Sequence, residues 1–398
     1  MKVLILDDET ARANVWKLSL DKLVQGEVVV YSPSQVSNVI NELHTARLAS
    51  RSGTFSPLNA LDGFDLVIID YDLLGLEMAA PAAWATGAEL AYSIRLMSEV
   101  GPIVVVNQFG TNAYDLTMRR GVTSYADVDV GSAQIESPGL WQSHGFGPYR
   151  PWHWPDLHRE VSRFALVHEY ILQRLNDPVM ASLGFELEDS DASNYISYEI
   201  AAFLGASQQN KNTTFRDIVL SNDGLRLFNI LEKDLKILEG FSDSQMARVS
   251  AAILIHWLEK IVLPTQEVVA DIPHLAVQLP WIIEDVINPE AWNALCRLDR
   301  DYVPELLIPF AIQPEFLYSR PVFWAEKARR EIAFPKGFVF ADLPSLQFCE
   351  DSSSYVPEEE ALSFPSDVIA FDKKRWVKVV KNSELPTVNY EPQSYLLM

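Results

Sequence analysis

The chain has 398 residues, 48% of them hydrophobic and 22% charged, with a net charge of −22. This composition is globular and excludes a mainly disordered chain, and the length predicts more than one packed unit. Two cysteines, Cys296 and Cys349, are too few for a disulfide framework or a cysteine-rich zinc site, which fits a reducing, cytoplasmic setting. The opening MKVLILDDET reads as neither signal peptide nor membrane anchor, and no run of about 18 apolar residues follows, so no membrane association is expected. Residues 1–135 carry a net −7 and the remainder −15, a field that disfavours nucleic acid as a partner.

The first third alternates strand and helix. Lys2 to Leu6 is a compact apolar run ending in Asp7 and Asp8, the pattern of a buried parallel strand. A helix is expected from Thr10 to Leu23, a weaker strand from Glu27 to Tyr31, and a helix from Ser34 to Ala49. Asp65 to Asp70 is the clearest buried strand; a loop containing Ala and Pro leads to a helix over Gly87–Glu99. A strand from Pro102 to Asn107, a helix near Ala113 to Arg120 and a last strand from Val122 to Val128 complete the pattern. Five strands alternating with helices predict an α/β fold with a doubly wound five-stranded parallel sheet of receiver or flavodoxin-like type over residues 1–134. Residues 135–155, rich in Pro and Trp, read as an ordered linker. Residues 156–287 then turn helical, in Leu157 to Leu175, Tyr195 to Leu204, Thr214 to Glu239 and Ser242 to Val262. The rest, 288–398, is a mixed α/β region with strands expected at Phe338 to Ala341, Asp367 to Phe371 and Trp376 to Val380, and it can belong to the same effector domain as the helices.

Ligands in a doubly wound sheet collect at the carboxyl ends of its strands, where this sequence puts Asp7, Asp8 and Asp70. Three carboxylates within a few ångströms repel one another, and a hard divalent cation with oxygen ligands, Mg²⁺ first, resolves the repulsion. A carboxylate beside such an ion can also attack a phosphoryl group. The structural alternatives are that Asp7 and Asp8 favour a helix N-terminus and that Asp70 is simply an end-of-strand acid.

These residues, with Gly87-Ala-Glu-Leu, the strand ending at Asn107 and Gly121 to Tyr125 at matching intervals, resemble the receiver domain of two-component response regulators over about residues 1–130. The resemblance implies that Asp70 is the phosphoacceptor, that Asp7 and Asp8 bind Mg²⁺ with the backbone carbonyl of Asp72 as a further contact, and that Tyr125 is the switch aromatic. Asn107 stands where the family has Thr or Ser, and it can donate to a phosphoryl group or bond loop backbone. Val128 matches the position of the family's lysine, and the loop after Asp70 carries an insertion, Glu77 to Thr86. Tyr125 also fits as a packed core aromatic.

The remaining signals are weaker. His144, His153, His158 and His168 match no zinc spacing: the last two lie ten residues apart, about 15 Å along a helix. His256 reads as core, and Asp271-Ile-Pro-His274 is not diagnostic of a site. The helices from Ser242 to Leu279 present Glu267 and Asp271 where a DNA-reading helix needs basic residues. The aromatic stretch Tyr302 to Trp324 is core or an interface. The expected function is an atypical response regulator, fed by a sensor histidine kinase or phosphotransfer protein, whose C-terminal region acts through protein contacts or self-association as a signal relay or phosphoryl sink. The alternatives are a phosphorylation-independent pseudo-receiver scaffold and an enzyme with an unrecognised C-terminal site.

Overall fold

The computed structural model describes residues 1–52, 55–76, 86–107, 114–115, 125–141, 156–185, 200, 212–220, 234–296, 303–313, 316, 321–350, 352–363, 376–378 and 388–389. Its N-terminal sheet is built from β1 (Lys2–Leu6), β2 (Glu27–Val30), β3 (Leu66–Asp70), β4 (Ile103–Asn107) and β5 (Val128–Gly131). All are parallel, in the order β2-β1-β3-β4-β5, as in flavodoxin-like doubly wound sheets. Side chains alternate across the pleat. Val3, Ile5, Ile68, Val104, Val106, Val128 and Val130 face one layer; Leu4, Leu6, Val67, Ile69, Ile103 and Val105 face the other. Both layers are covered, which is why the strands read as unbroken apolar runs.

α1 (Thr10–Leu23) turns Ala13, Trp16 and Leu20 onto the first face. α2 (Pro33–Arg51) starts at a capping box made by Ser32 and Gln35, with Pro33 in the first turn, and lays Val36, Val39, Ile40 and Leu43 on the second face. α3 (Gly87–Met97) lies beside it and is buried on nearly every side, from Leu90 through Met97. The cause is the helical region. α4 (Leu157–Leu172) and α5 (Asp243–His256) pack on each other and over α3, so that Gln245 Nε2 donates to the Arg95 and Leu96 carbonyls at 3.1 and 2.9 Å. Arg248 reaches the Val100 carbonyl at 2.8 Å. Asp234, just before the short helix Leu235–Leu238, is fully buried against α2 and α3, taking Arg47 Nη2 and Arg51 Nε at 2.6 Å each and the Tyr92 hydroxyl at 3.0 Å. One apolar cluster therefore runs from Leu4 in the sheet to Trp324 near the C-terminal region.

On the other face, the segment after β5 closes over α1. Ile135, Leu140, Trp141 and Leu157 join the α1 cluster, and His158 Nε2 lies 3.3 Å from the Leu23 carbonyl. The C-terminal region adds a two-stranded pair, Val269–Asp271 against Val322–Trp324, and a four-stranded sheet built around Leu346–Cys349 and Ser354–Pro357. Among the described residues no helix is long and apolar enough to cross a membrane.

Several elements differ from the sequence reading. The last sheet strand is Val128–Gly131, where Val122 to Val128 was expected: the alternation Val128-Asp-Val130 puts both valines in the core beside β4, while residues 122–124 lie outside those described. Within the expected helix Ala113 to Arg120, Tyr114–Asp115 is a short strand paired with Val388–Asn389, and the other residues lie outside those described. Phe338 to Ala341 is not a strand; Phe340–Asp342 forms an exposed 3₁₀ turn. α5 ends at His256 and continues as a π turn, Trp257–Val262. Most of the helices expected over Tyr195 to Leu204 and between Leu220 and Asp234 lie outside the described residues, as do residues 142–155 of the linker and Asp367 to Phe371.

Candidate metal and phosphoacceptor site

Register assembles the acidic site. Leu6 pairs with Ile69, so the next residues, Asp7 and Asp70, leave the sheet side by side, and Asp8 follows at the entry to α1. The three carboxylates each offer an oxygen within 4.8 Å of the others. Asp7 and Asp70 are fully buried, while Asp8 is partly exposed. Two glycines permit the close packing. Gly75 donates its N–H to Asp8 Oδ2 at 2.7 Å, and a Cβ there would stand 2.5 Å from that oxygen. Gly87 donates to the Tyr71 carbonyl at 2.7 Å, and a Cβ there would lie 2.2 Å from the Asp70 carbonyl.

Arg12, on the first turn of α1, occupies the middle of the cluster. Its Nη2 lies 2.7 Å from Asp7 Oδ1, 3.3 Å from Asp8 Oδ1 and 2.6 Å from Asp70 Oδ2, and its Nε donates to Asp7 Oδ2 at 2.9 Å. The hydrogen bonds to Asp7 hold the guanidinium firmly cationic. One positive charge among three carboxylates leaves the site electronegative. Burial pushes the Asp70 carboxyl up to about 7; Arg12 opposes the shift, and the charges of Asp7 and Asp8 add to it. Asp8 is raised as well, first by burial, against the Gly75 N–H. Asp70 Oδ1 is buried without a hydrogen-bond partner. Sequence reasoning missed Arg12, although its position four residues after Asp8 on a helix was the available signal.

Asp72 bridges Thr86 across the base of the loop after β3, and its Oδ1 accepts the Leu74 N–H at 3.1 Å. Residues 77–85 of the insertion lie outside those described. Asn107 ends β4 opposite Gly131, one step beyond Val106, the partner of Asp70, and so belongs to the same end of the sheet. Val128 starts β5 opposite Val104, with its side chain in the α1-face core; Gly131 and Ser132 are the residues at the strand's carboxyl end. Tyr125 precedes the strand. Its ring meets that of Tyr92 at 4.8 Å, and Tyr92 in turn bonds Asp234 of the helical region.

The histidines on α4 serve packing: His168 Nε2 lies 3.1 Å from the Ser244 carbonyl, while His144 and His153 lie outside the described residues. Asp271 and His274 belong to a second ionic cluster. His274 Nδ1 is 2.5 Å from Asp271 Oδ1 and Nε2 is 3.0 Å from Glu350 Oε1, both carboxylates being fully buried. Burial would lower the imidazole, but the two carboxylates win and push it up to about 9. Both ring nitrogens are engaged, which leaves no position for a metal and makes this cluster a structural tie.

Three carboxylates supply the hard oxygen donors that Mg²⁺ prefers, one oxygen of each lying within 4.8 Å of the others. The orphaned Asp70 oxygen adds a donor atom awaiting a partner. No protein-family model matches the chain, and neither a curated protein nor a solved structure matches it.

Proposed function

We propose that the N-terminal unit is an atypical receiver, in which Asp70 accepts a phosphoryl group from a sensor histidine kinase, a phosphotransfer protein or a small acyl phosphate. The observation that carries this reading is the convergence of Asp7, Asp8 and the buried, partly unpaired Asp70 at the carboxyl ends of adjacent parallel strands. Asp7, Asp8 and Asp70, with the Asp72 carbonyl, would hold Mg²⁺, which would supply charge neutralisation for the incoming phosphoryl oxygens. An Asp70 carboxylate oxygen attacks phosphorus, the bond to the donor's leaving group breaks, and an aspartyl phosphate forms. Asn107 lies at the same sheet end and can donate to the transferred group. Output passes to the C-terminal region, whose Asp234 reaches Tyr92 and, through it, Tyr125. The region acts through protein contacts or self-association.

Arg12 favours a second reading, a phosphorylation-independent docking module whose acidic cluster carries its own counter-ion. Intact mass after incubation with Mg²⁺ and acetyl phosphate separates the two. A single phosphoryl adduct, absent in Asp70→Ala and in EDTA, is the result expected of a receiver. An unmodified chain leaves the docking module.

A further inference from the structure

The position of Arg12 has a chemical meaning beyond neutralisation. Its Nη2 touches one oxygen from each of the three carboxylates, at 2.7, 3.3 and 2.6 Å. A cation held by those same three oxygens would lie close to this nitrogen, and two cations that near each other repel strongly in a partly buried site. Shared occupancy is thereby disfavoured. The guanidinium nonetheless has a way out: its side chain is 21% exposed, and Nη1 already lies 3.8 Å from Glu9 Oε2, a largely exposed carboxylate next to the cluster. The stem also rests beside Trp16, with the guanidinium carbon 5.7 Å from the ring. Thus Arg12 has one seat inside the acids and a second anion just outside them.

We propose that Arg12 is a tethered cation that closes the acidic site in the resting protein, and that a divalent ion enters only by displacing it toward Glu9. The proposal rests on the metal site of the receiver reading and adds its regulation. A guanidinium brings one charge to three carboxylates and leaves Asp70 Oδ1 unbonded, whereas a divalent ion brings two and has coordination positions for oxygens the guanidinium does not reach. The arginine is therefore an adequate occupant and a replaceable one. Displacement would at once supply the metal and uncover Asp70, so a phosphodonor meets an open carboxylate only when the ion is bound.

The test uses the full chain and the metal ions alone. Mn²⁺ affinity is measured by calorimetry for the wild type and Arg12→Gln, and the Arg12 Nε–H resonance of the wild type, identified by its absence in Arg12→Gln, is followed as MgCl₂ is added. Losing a charge-assisted hydrogen-bonded competitor is expected to tighten Mn²⁺ binding about tenfold. In the wild type, the Arg12 signal should move saturably with the ion as its bond to Asp7 is lost. Equal affinities with a motionless Arg12 signal would overturn the displacement while leaving the metal site intact. Failure of both proteins to bind Mn²⁺ would remove the metal from the receiver reading, and the displacement with it. Should Arg12→Gln not fold, Arg12→Lys identifies the resonance by the same absence, and the wild-type signal then decides.

Discussion

A buried ionisable side chain needs a partner of opposite charge, and two clusters of this protein answer that need by different means. At the sheet's carboxyl edge three acids share one arginine and stay under-neutralised; in the C-terminal region one histidine is enclosed by two acids. The second arrangement has a sign that can be measured. His274 binds its proton more tightly in the folded chain, with its titration pushed from 6.5 to about 9. Its contribution is therefore complete below about pH 6.5 and is lost as pH rises through about 9. Denaturant unfolding at about pH 7 and about pH 10 should show a loss of about 1–3 kcal/mol, and His274→Gln, less stable throughout, should show no such fall across that window. At this scale the acids were legible because each follows an apolar run. Arg12 was not, because an arginine on a first helical turn looks like a solvated side chain until the register of β1 and β3 is known. Glu350, the third member of the histidine cluster, is separated from His274 by too much sequence for any spacing rule to join them.

At the scale of elements, α3 shows how an expected helix acquires an unexpected role. Its limits follow from Thr86, whose hydroxyl caps the first turn, and from the apolar pattern of Leu90, Ala91, Ile94 and Met97. The apolar residues between them, Tyr92 and Leu96, signalled burial on the opposite side too. β1, β3 and β4 were legible to within a residue for the same reason: continuous apolar runs flanked by polar residues have few other uses. β5 was not, since Asp127-Val-Asp-Val-Gly131 alternates polar and apolar residues and offers no unbroken apolar run to mark its limits. Asp234 ties these elements to the helical region. Burial would raise its carboxyl, but Arg47 and Arg51 hold it below the usual carboxylate range. Asp234→Ala removes the acceptor shared by Arg47, Arg51 and Tyr92 and should cost about 3–5 kcal/mol in denaturant unfolding. A loss under about 1 kcal/mol would show that the helical region docks without help from this ionic cluster.

Among the described residues, the apolar cluster that begins in the sheet passes through α2 and α3 into α4, α5 and the strand Val322–Trp324. Sequence patterning could assign each segment a helix or a strand, but it carried no information on which faces meet, because α4 and α5 bury residues contributed by chain more than a hundred positions away. The enclosure of α3 sets a timescale. Amide protons on a solvent-facing helix reach water through local openings, whereas those of a helix covered by the sheet on one side and α5 on the other must wait for the core itself to come apart. Deuterium uptake should therefore be slowest along Leu90 to Met97 and should track the denaturant dependence of global unfolding, while α1, with Val15 and Leu18 exposed, exchanges early. Uptake in α3 as fast as in α1 would mean that the helical region lifts away from the sheet as a unit, in motions far more frequent than unfolding.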